Sequence, residues 1–551
     1  MARASPDRAR YDGRVEPSET RSREGSRPAR SARHLLDQLR RRHERRRRLF
    51  PRAIAVGVVA GLVASLFRAG IERAEDGRTL LLHRLHAFGL AGLMGTVLLG
   101  ASGACFAVWL VRRFEPSAAG SGIPQLKAVL HRLRPMSGGR LLVVKFVGGV
   151  SAIASGLALG REGPTIQMGG AIGRLVARWL PSSSHERGVL IASGAGAGLA
   201  AAFNAPLAGM MFVLEEIQKN FAPGVFSSTF VACVVADAVS RLLFGQSAVF
   251  HTSPIAAPPV AALPLFLVLG ALVGILAVLF NRGLLATLHL VDGVAPKWRL
   301  GVAAAVGGAL ALVAWDAPGL IGGGGAMVER ALSGKGLVGA LLLTLAVRFV
   351  LTLSSYGTGA PGGIFAPLLV LGSQAGLAAG VAAAGLLPAL VGEPRAWAVA
   401  GMAALFAGTV RAPLTGIVLM LEMTDSYSLM LPLLAASFAA QWVTERLGEA
   451  PIYDSLLDRE LRRTGETEVL EGALMLELDV LPDAPFAGRR VAELGLPAGC
   501  LIVALERRGR SVVVTGGTKL LTGDRLQVVV APQAESAVGA LRIGVGVEGG
   551  H

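Results

Sequence analysis

The sequence predicts an all-α polytopic membrane protein, built as an inverted repeat of broken and tilted helices and followed by a small soluble α/β domain. Three observations carry this. Of 551 residues, 52% are hydrophobic and only 17% are charged, with 72 glycines, the profile of a polytopic helical membrane protein. A short proline-containing pattern recurs, with the acid that follows it, at a constant offset of 207 positions. Beyond about Thr464 the chain turns abruptly polar, with eight Lys/Arg and eleven Asp/Glu in residues 464–551.

The formal charge of +16 is placed unevenly: residues 1–50 hold sixteen Arg against seven Asp/Glu, which accounts for nine of those charges. This Pro/Ser/Arg-rich stretch lacks an apolar stripe and ends in Arg45-Arg46-Arg47-Arg48 just before the first hydrophobic run. It is expected to be a disordered cytoplasmic arm that obeys the positive-inside rule and is drawn to anionic lipid. Nucleic-acid binding is not expected, because no aromatic residues interleave the arginines. No signal peptide is expected, since the charged region is too long and no small-residue cleavage site follows.

Apolar runs follow at 53–67, 89–111, 265–280, 301–315 and 337–347. Several fall short of the roughly 20 residues of a perpendicular span, and their Gly/Pro interruptions predict tilted, broken helices around a site at mid-membrane. Between them lies Gly160-Arg161-Glu162-Gly163-Pro164. An acid at bilayer depth is costly unless it faces a cavity or a partner. The glycines let the backbone turn sharply, and Pro164 suits the first position of a following helix. Such a helix N-terminus aims free N–H groups and a partial positive charge at its guest, naturally an anion. The plain alternative is a loop ion pair between Arg161 and Glu162.

Gly120-Ser121-Gly122-Ile123-Pro124 is a second turn of this design. Lys145, a cation inside the apolar run 141–150, either supports an anion electrostatically or snorkels to an interface. Gly363-Ile364-Phe365-Ala366-Pro367 is a third such turn, 203 positions after the Glu162 motif. Asn204-Ala205-Pro206-Leu207-Ala208-Gly209 with Leu214-Glu215 recurs as Arg411-Ala412-Pro413-Leu414-Thr415-Gly416 with Leu421-Glu422. Two related halves, about 51–250 and 260–460, are expected to insert in opposite orientations with the substrate at their interface. Glu215-Glu216 closes an apolar helix, where the dipole disfavours acids. Because Glu215 has a repeat counterpart in Glu422, a structural role is assigned to Glu215. Cys105, Cys233 and Cys500 fit no metal or redox spacing and are read as small apolar residues. Neither HExxH nor a Walker pattern is present, so no metal, no cofactor, no ATP-driven step and no enzyme are expected.

At GSGIP 120–124, GREGP 160–164, GIFAP 363–367 and Tyr453 in Pro451-Ile452-Tyr453, the chain resembles the CLC family of chloride channels and proton-coupled chloride transporters over residues 50–460. That resemblance implies a CLC-type inverted repeat, a homodimer with one pathway per subunit, and chloride and protons as substrates. It implies that the hydroxyls of Ser121 and Tyr453 and the backbone N–H groups of Ile364 and Phe365 hold a dehydrated anion. Gly122, Ile123, Arg161 and Gly163 are likewise assigned to anion binding and Lys145 to electrostatic support. Glu162 matches the external gate and Glu216 the internal proton-transfer acid of the exchanger branch. Hydroxyls and amides make chemical sense here, because they bind an anion without a full charge and so let it leave. Taken alone, Ser121 would be a helix cap and Tyr453 an interfacial aromatic.

Residues 464–551 read as strands at 476–480, 501–505, 511–515 and 526–530, separated by turn residues. Ala487-Gly488-Arg489, Glu493-Leu494-Gly495-Leu496-Pro497 and Thr522-Gly523-Asp524 resemble a TrkA-C domain, where CLC relatives with cytoplasmic domains more often carry CBS pairs. The resemblance leaves room for a small-molecule ligand at this domain. The expected whole is a proton-coupled chloride antiporter of a bacterial inner membrane with both termini cytoplasmic. Its rivals are a passive chloride channel on the same scaffold and, remotely, a membrane-anchored ligand sensor.

Overall fold

The computed structural model describes residues 27–131, 133–180, 182–219, 221, 223–245, 250, 255–464, 474–507, 510–531, 534 and 537–546. The first half holds α1 (Arg27–His86), α2 (Gly89–Phe114), α3 (Ile123–Leu130), α4 (Gly139–Ala154), α5 (Glu162–Trp179), α6 (Ser184–Phe203), α7 (Pro206–Phe212) and α8 (Pro223–Phe244). The second holds α9 (Leu263–Asp292), α10 (Arg299–Asp316), α11 (Gly325–Leu332), α12 (Val338–Gly357), α13 (Phe365–Leu386), α14 (Pro388–Val391), α15 (Pro394–Val410), α16 (Pro413–Thr424), α17 (Met430–Arg446) and α18 (Ile452–Thr464). Among the described residues, eight helices are long and apolar enough to cross a membrane. The expected disordered arm falls partly on residues 1–26, outside the described residues. From Arg27 onward, however, the chain is helical, as arginine-rich sequence with good helix propensity and few glycines allows.

Helix lengths are more uneven than the apolar runs implied. The 30-residue α9 exceeds a perpendicular span, whereas α3 and α11 have eight residues and α7 has seven. Long helices must tilt, and short ones leave their ends at depth, where only protein can satisfy them. Close packing compensates. A Cβ added at Gly169 of α5 would lie 2.0 Å from the Gly194 carbonyl oxygen of α6, and one at Gly376 of α13 would lie 2.1 Å from that of Trp397 in α15. Gly57 and Gly61 of α1 press on the Ala232 and Ala236 carbonyls, just as Gly270 and Gly274 of α9 press on those of Ala436 and Ala440. Small residues let backbones meet where lipid supplies no hydrophobic drive between helices.

The repeated pattern proves to be one turn used twice. Asn204 and Arg411 both adopt left-handed backbone, at φ 49° and 66°, ending α6 and α15 before Ala-Pro starts the next helix. Asparagine tolerates this conformation, while Arg411 is held there by bonds to Glu445 and to the Glu449 carbonyl. The acids then exchange. Glu215 accepts from Leu414 N at 3.0 Å and Thr415 N at 2.7 Å, and Glu422 accepts from Leu207 N at 3.0 Å and Ala208 N at 2.8 Å. Each half thus caps the other's short helix. The dipole objection to Glu215 at the end of one helix is offset because its carboxylate sits on the N-terminus of another.

Past the membrane region, β1 (Leu474–Asp479), β2 (Cys500–Arg507), β3 (Arg510–Val512) and β4 (Arg525–Val530) form an antiparallel sheet in the order β1-β4-β2-β3, followed by α19 (Ala537–Gly544). It has its own core around Ile502, Leu505, Leu526, Val528, Val530 and Leu541. Of the three cysteines only Cys233 is buried; Cys105 and Cys500 are half-buried.

Glu215→Ala strands helix N–H groups and should cost about 1–3 kcal/mol, read as a lower thermal midpoint of the purified protein in detergent. An unchanged midpoint would remove Glu215 from the capping role. In the C-terminal domain, burial raises the Asp524 carboxyl, but hydrogen bonds from Arg507 and Leu521 N–H outweigh it and hold the group below its usual range. A depressed acid stabilises the folded state above its unfolded value of about 3.9 and loses that contribution as pH falls through the folded value. The protection of β4 amides in the full chain, taken relative to their intrinsic exchange rate at each pH, should therefore fall in acid below about pH 4, and Asp524→Asn should flatten that response.

Candidate functional site

Backbone bonds between the halves build the site. Gly160 N donates to Gly363 O and Gly363 N donates to Gly160 O, both at 2.8 Å, while Gly362 N donates to Gly120 O at 3.0 Å. The three glycine turns are thereby pinned together. Their spacing demands glycine: a Cβ at Gly163 would lie 2.7 Å from Ser121 O, and Gly122, at φ 82°, leaves only 2.2 Å to Gln167 Oε1. The N-terminal ends of α3, α5 and α13 meet there. Helix α5 starts at Glu162, two residues before Pro164, which still lies in the first turn where no N–H partner is lost.

The Glu162 carboxylate, 1% exposed, folds back over Gly160, and its Oε2 accepts from Ala366 N at 3.3 Å. A negative group therefore occupies the N-terminus of α13, whose first residues Ile364 and Phe365 are fully buried. The Phe365 ring stacks among Phe203, Phe212 and Phe406 at centroid distances of 5.4, 6.1 and 4.4 Å, which fixes the turn and walls it with apolar surface. Ser121 Oγ accepts from Ile123 N at 3.4 Å. This contact lies just ahead of α3, whose N-cap is Gly122, and it uses the serine oxygen as acceptor, so the hydroxyl keeps a proton to donate. The Tyr453 hydroxyl is buried with no hydrogen-bond partner among the described residues, so it offers a donor. Behind this constellation Lys145, fully buried, donates to Ala118 O at 2.9 Å and Gly120 O at 2.7 Å. It does not snorkel; it braces the Ser121 turn.

Arg161 reaches to neighbouring helices: its guanidinium donates to Glu72 of α1 at 3.4 Å and to Ala202 O of α6 at 3.3 Å. Sequence reasoning also missed three neighbours. The Tyr356 phenol lies against Gly120, 3.1 Å from where a Cβ would stand. Lys127 donates to Glu216 Oε1 at 2.8 Å and also to Asp454, whose other oxygen accepts from Lys219 at 2.8 Å. Lys127 at helical spacing after Ser121, and Asp454 next to Tyr453, were the available signals. Glu216 itself is 1% exposed, on a π-helical turn (Val213–Ile217) that faces it away from Glu215's partner. Among the described residues no acid, histidine and cysteine cluster could hold a metal ion.

Residues 103–445 match the voltage gated chloride channel family. The chain belongs to this CLC family. Residues 475–541 match the TrkA-C domain. The H(+)/Cl(-) exchange transporter ClcA of Vibrio parahaemolyticus is 42% identical over 419 residues, covering 74% of this chain and 89% of that one. ClcA of Klebsiella pneumoniae is 41% identical over 423 residues, covering 75% and 88%. Among solved structures, a slow cyanobacterial Cl-/H+ antiporter superposes with a TM-score of 0.74 at 37% identity, covering 76% of this chain and 99% of its own. A eukaryotic CLC transporter at 24% identity and TM-score 0.63 shares the fold. This CLC protein is an integral membrane protein with a small domain of strands and helix at its C-terminal end.

Tyr453→Ala should weaken chloride binding about tenfold, the size of one lost hydrogen bond to a charged group, in calorimetry of the purified protein. Ser121→Pro should shift preference from chloride towards nitrate. Full-strength, unaltered binding in either variant would remove that hydroxyl from the ligand set.

Proposed function

We propose that this CLC protein is a proton-coupled chloride antiporter, working as a homodimer with one pathway per subunit in a bacterial inner membrane. Both termini are read as cytoplasmic, on the arginine-rich segment ahead of the first apolar run. The observation that carries the proposal is the Glu162 carboxylate at the N-terminus of α13, on the Ala366 N–H. A carboxylate in that position mimics an anion, and it is also a group that takes a proton. Once neutral, it loses most of its attraction to the helix end, so chloride displaces it; when the proton leaves, the carboxylate returns and expels the anion. Competition for one site links the two ions.

Glu216 supports the exchanger over a passive channel. It is an acid buried with an ammonium partner and takes no part in the capping exchange, at a position where a channel has no need of a titratable group. Ser121, Tyr453, Ile364 and Phe365 are read as the anion's donors, with chloride as substrate and no cofactor invoked. The similarity to ClcA, an H(+)/Cl(-) exchange transporter, and to the cyanobacterial Cl-/H+ antiporter supports this reading. The TrkA-C domain, with its separate core, is read as regulatory.

In proteoliposomes, a chloride gradient should drive protons uphill through the wild type. Glu162→Gln should abolish proton movement while chloride flux becomes independent of pH, and Glu216→Gln should stop protons and pass chloride. Chloride conduction without protons at any pH in the wild type would make the protein a channel.

A further inference from the structure

Lys127 lies six residues after Ser121 on α3, and Asp454 follows Tyr453 at the start of α18. The Lys127 ammonium is shared: it donates to Glu216 Oε1 at 2.8 Å and to Asp454 Oδ1, and Lys219 holds Asp454 Oδ2 at 2.8 Å. The four charges alternate along a line of rising side-chain exposure, 1% at Glu216, 3% at Lys127, 35% at Asp454 and 54% at Lys219. One end is sealed and the other meets solvent. The Lys127–Asp454 bond also ties α3, which follows directly on the Ser121 turn, to α18, which carries Tyr453.

A buried ammonium needs a counter-charge wherever it goes. While Glu216 is ionised, two carboxylates divide Lys127 between them. When Glu216 takes a proton, its pull falls to that of a neutral acceptor, and Asp454 keeps the ammonium alone. The tie between α3 and α18 then strengthens. Asp454 thus has two effects: it makes a neutral Glu216 tolerable by compensating Lys127, and it carries the change to the helix that bears Tyr453.

Resting on the exchanger reading above, we propose that Lys127 is a positioning residue that links the protonation of Glu216 to the anion ligands Ser121 and Tyr453, by passing its ammonium between Glu216 and Asp454. Other charged groups near the line are accounted for. Lys219 pins the outer oxygen of Asp454, Glu215 is turned to the N-terminus of α16, and His131, at the end of α3, lies within electrostatic reach of Lys127, Asp454 and Lys219. Because His131 is itself a titratable group beside the line, the pH measurements are made in a His131→Gln background.

The test is carried out on the full chain in proteoliposomes, with protons per chloride taken from the reversal potential and chloride affinity from calorimetry across pH. Lys127→Met is expected to pass chloride with a several-fold loss of protons per chloride, and its chloride affinity should no longer follow pH as the wild type's does. Lys127→Arg should restore both. Asp454→Asn, at a half-exposed site, should lose the pH response of affinity in the same way and serves where Lys127→Met fails to fold. A folded Lys127→Met with the wild-type ratio and pH response overturns the proposal, as does a parallel fall of both fluxes at constant ratio, which marks a mere strut. Glu216→Gln in the same assay separates the two levels: protons that persist there refute the exchanger reading, whereas protons that stop there while Lys127→Met behaves as wild type refute only the link.

Discussion

The fold depends on helix N-termini that end inside the membrane. Lipid offers no partner for a free N–H group, so a helix that stops at mid-depth is tolerated only against other protein or a polar guest. Here the ends of α3, α5 and α13 stop together, and the reciprocal Gly160–Gly363 bonds with the Gly362–Gly120 bond hold them in register. These bonds consume the loop amides and leave the first helical amides, such as that of Ala366, directed at the Glu162 carboxylate. Anion selectivity follows from that backbone arrangement before any side chain is considered.

The same constraint explains the crossed capping of the short helices. Proline starts α7 and α16, and the first amides of each helix have no partner within it. Glu215 and Glu422 reach across the repeat interface to supply the acceptors. Neither half completes its own caps, so the halves must assemble for either to be stable. The glycine contacts between α5 and α6, and between α13 and α15, provide the rigid walls on which this exchange is built.

Buried charge is placed for different ends. Lys145 is spent on carbonyls and braces a turn, and Arg161 bridges α1 and α6. Lys127, in contrast, has two acids competing for it, which makes its position sensitive to the charge of either. A cation with one partner is a fastener; a cation with two can change sides.

Much was legible in the sequence. Composition and apolar runs determined a polytopic helical protein, Gly-rich turns ending in proline marked the three aimed helix ends, and the recurrence of Ala-Pro-Leu with its acid disclosed two halves. Strand alternation beyond Thr464 gave the small domain to within a few residues. Each of these is a local signal, set by backbone propensity and by hydrophobic periodicity. Contacts across the chain were not legible. That Arg161 turns to Glu72, 89 positions away, that Glu215 caps a helix 200 positions on, and that Lys127 meets both Glu216 and Asp454 depend on which helices the tertiary packing sets side by side. A charged side chain goes to whichever counter-charge the fold brings within about 3 Å, and spacing along one sequence does not encode that neighbour.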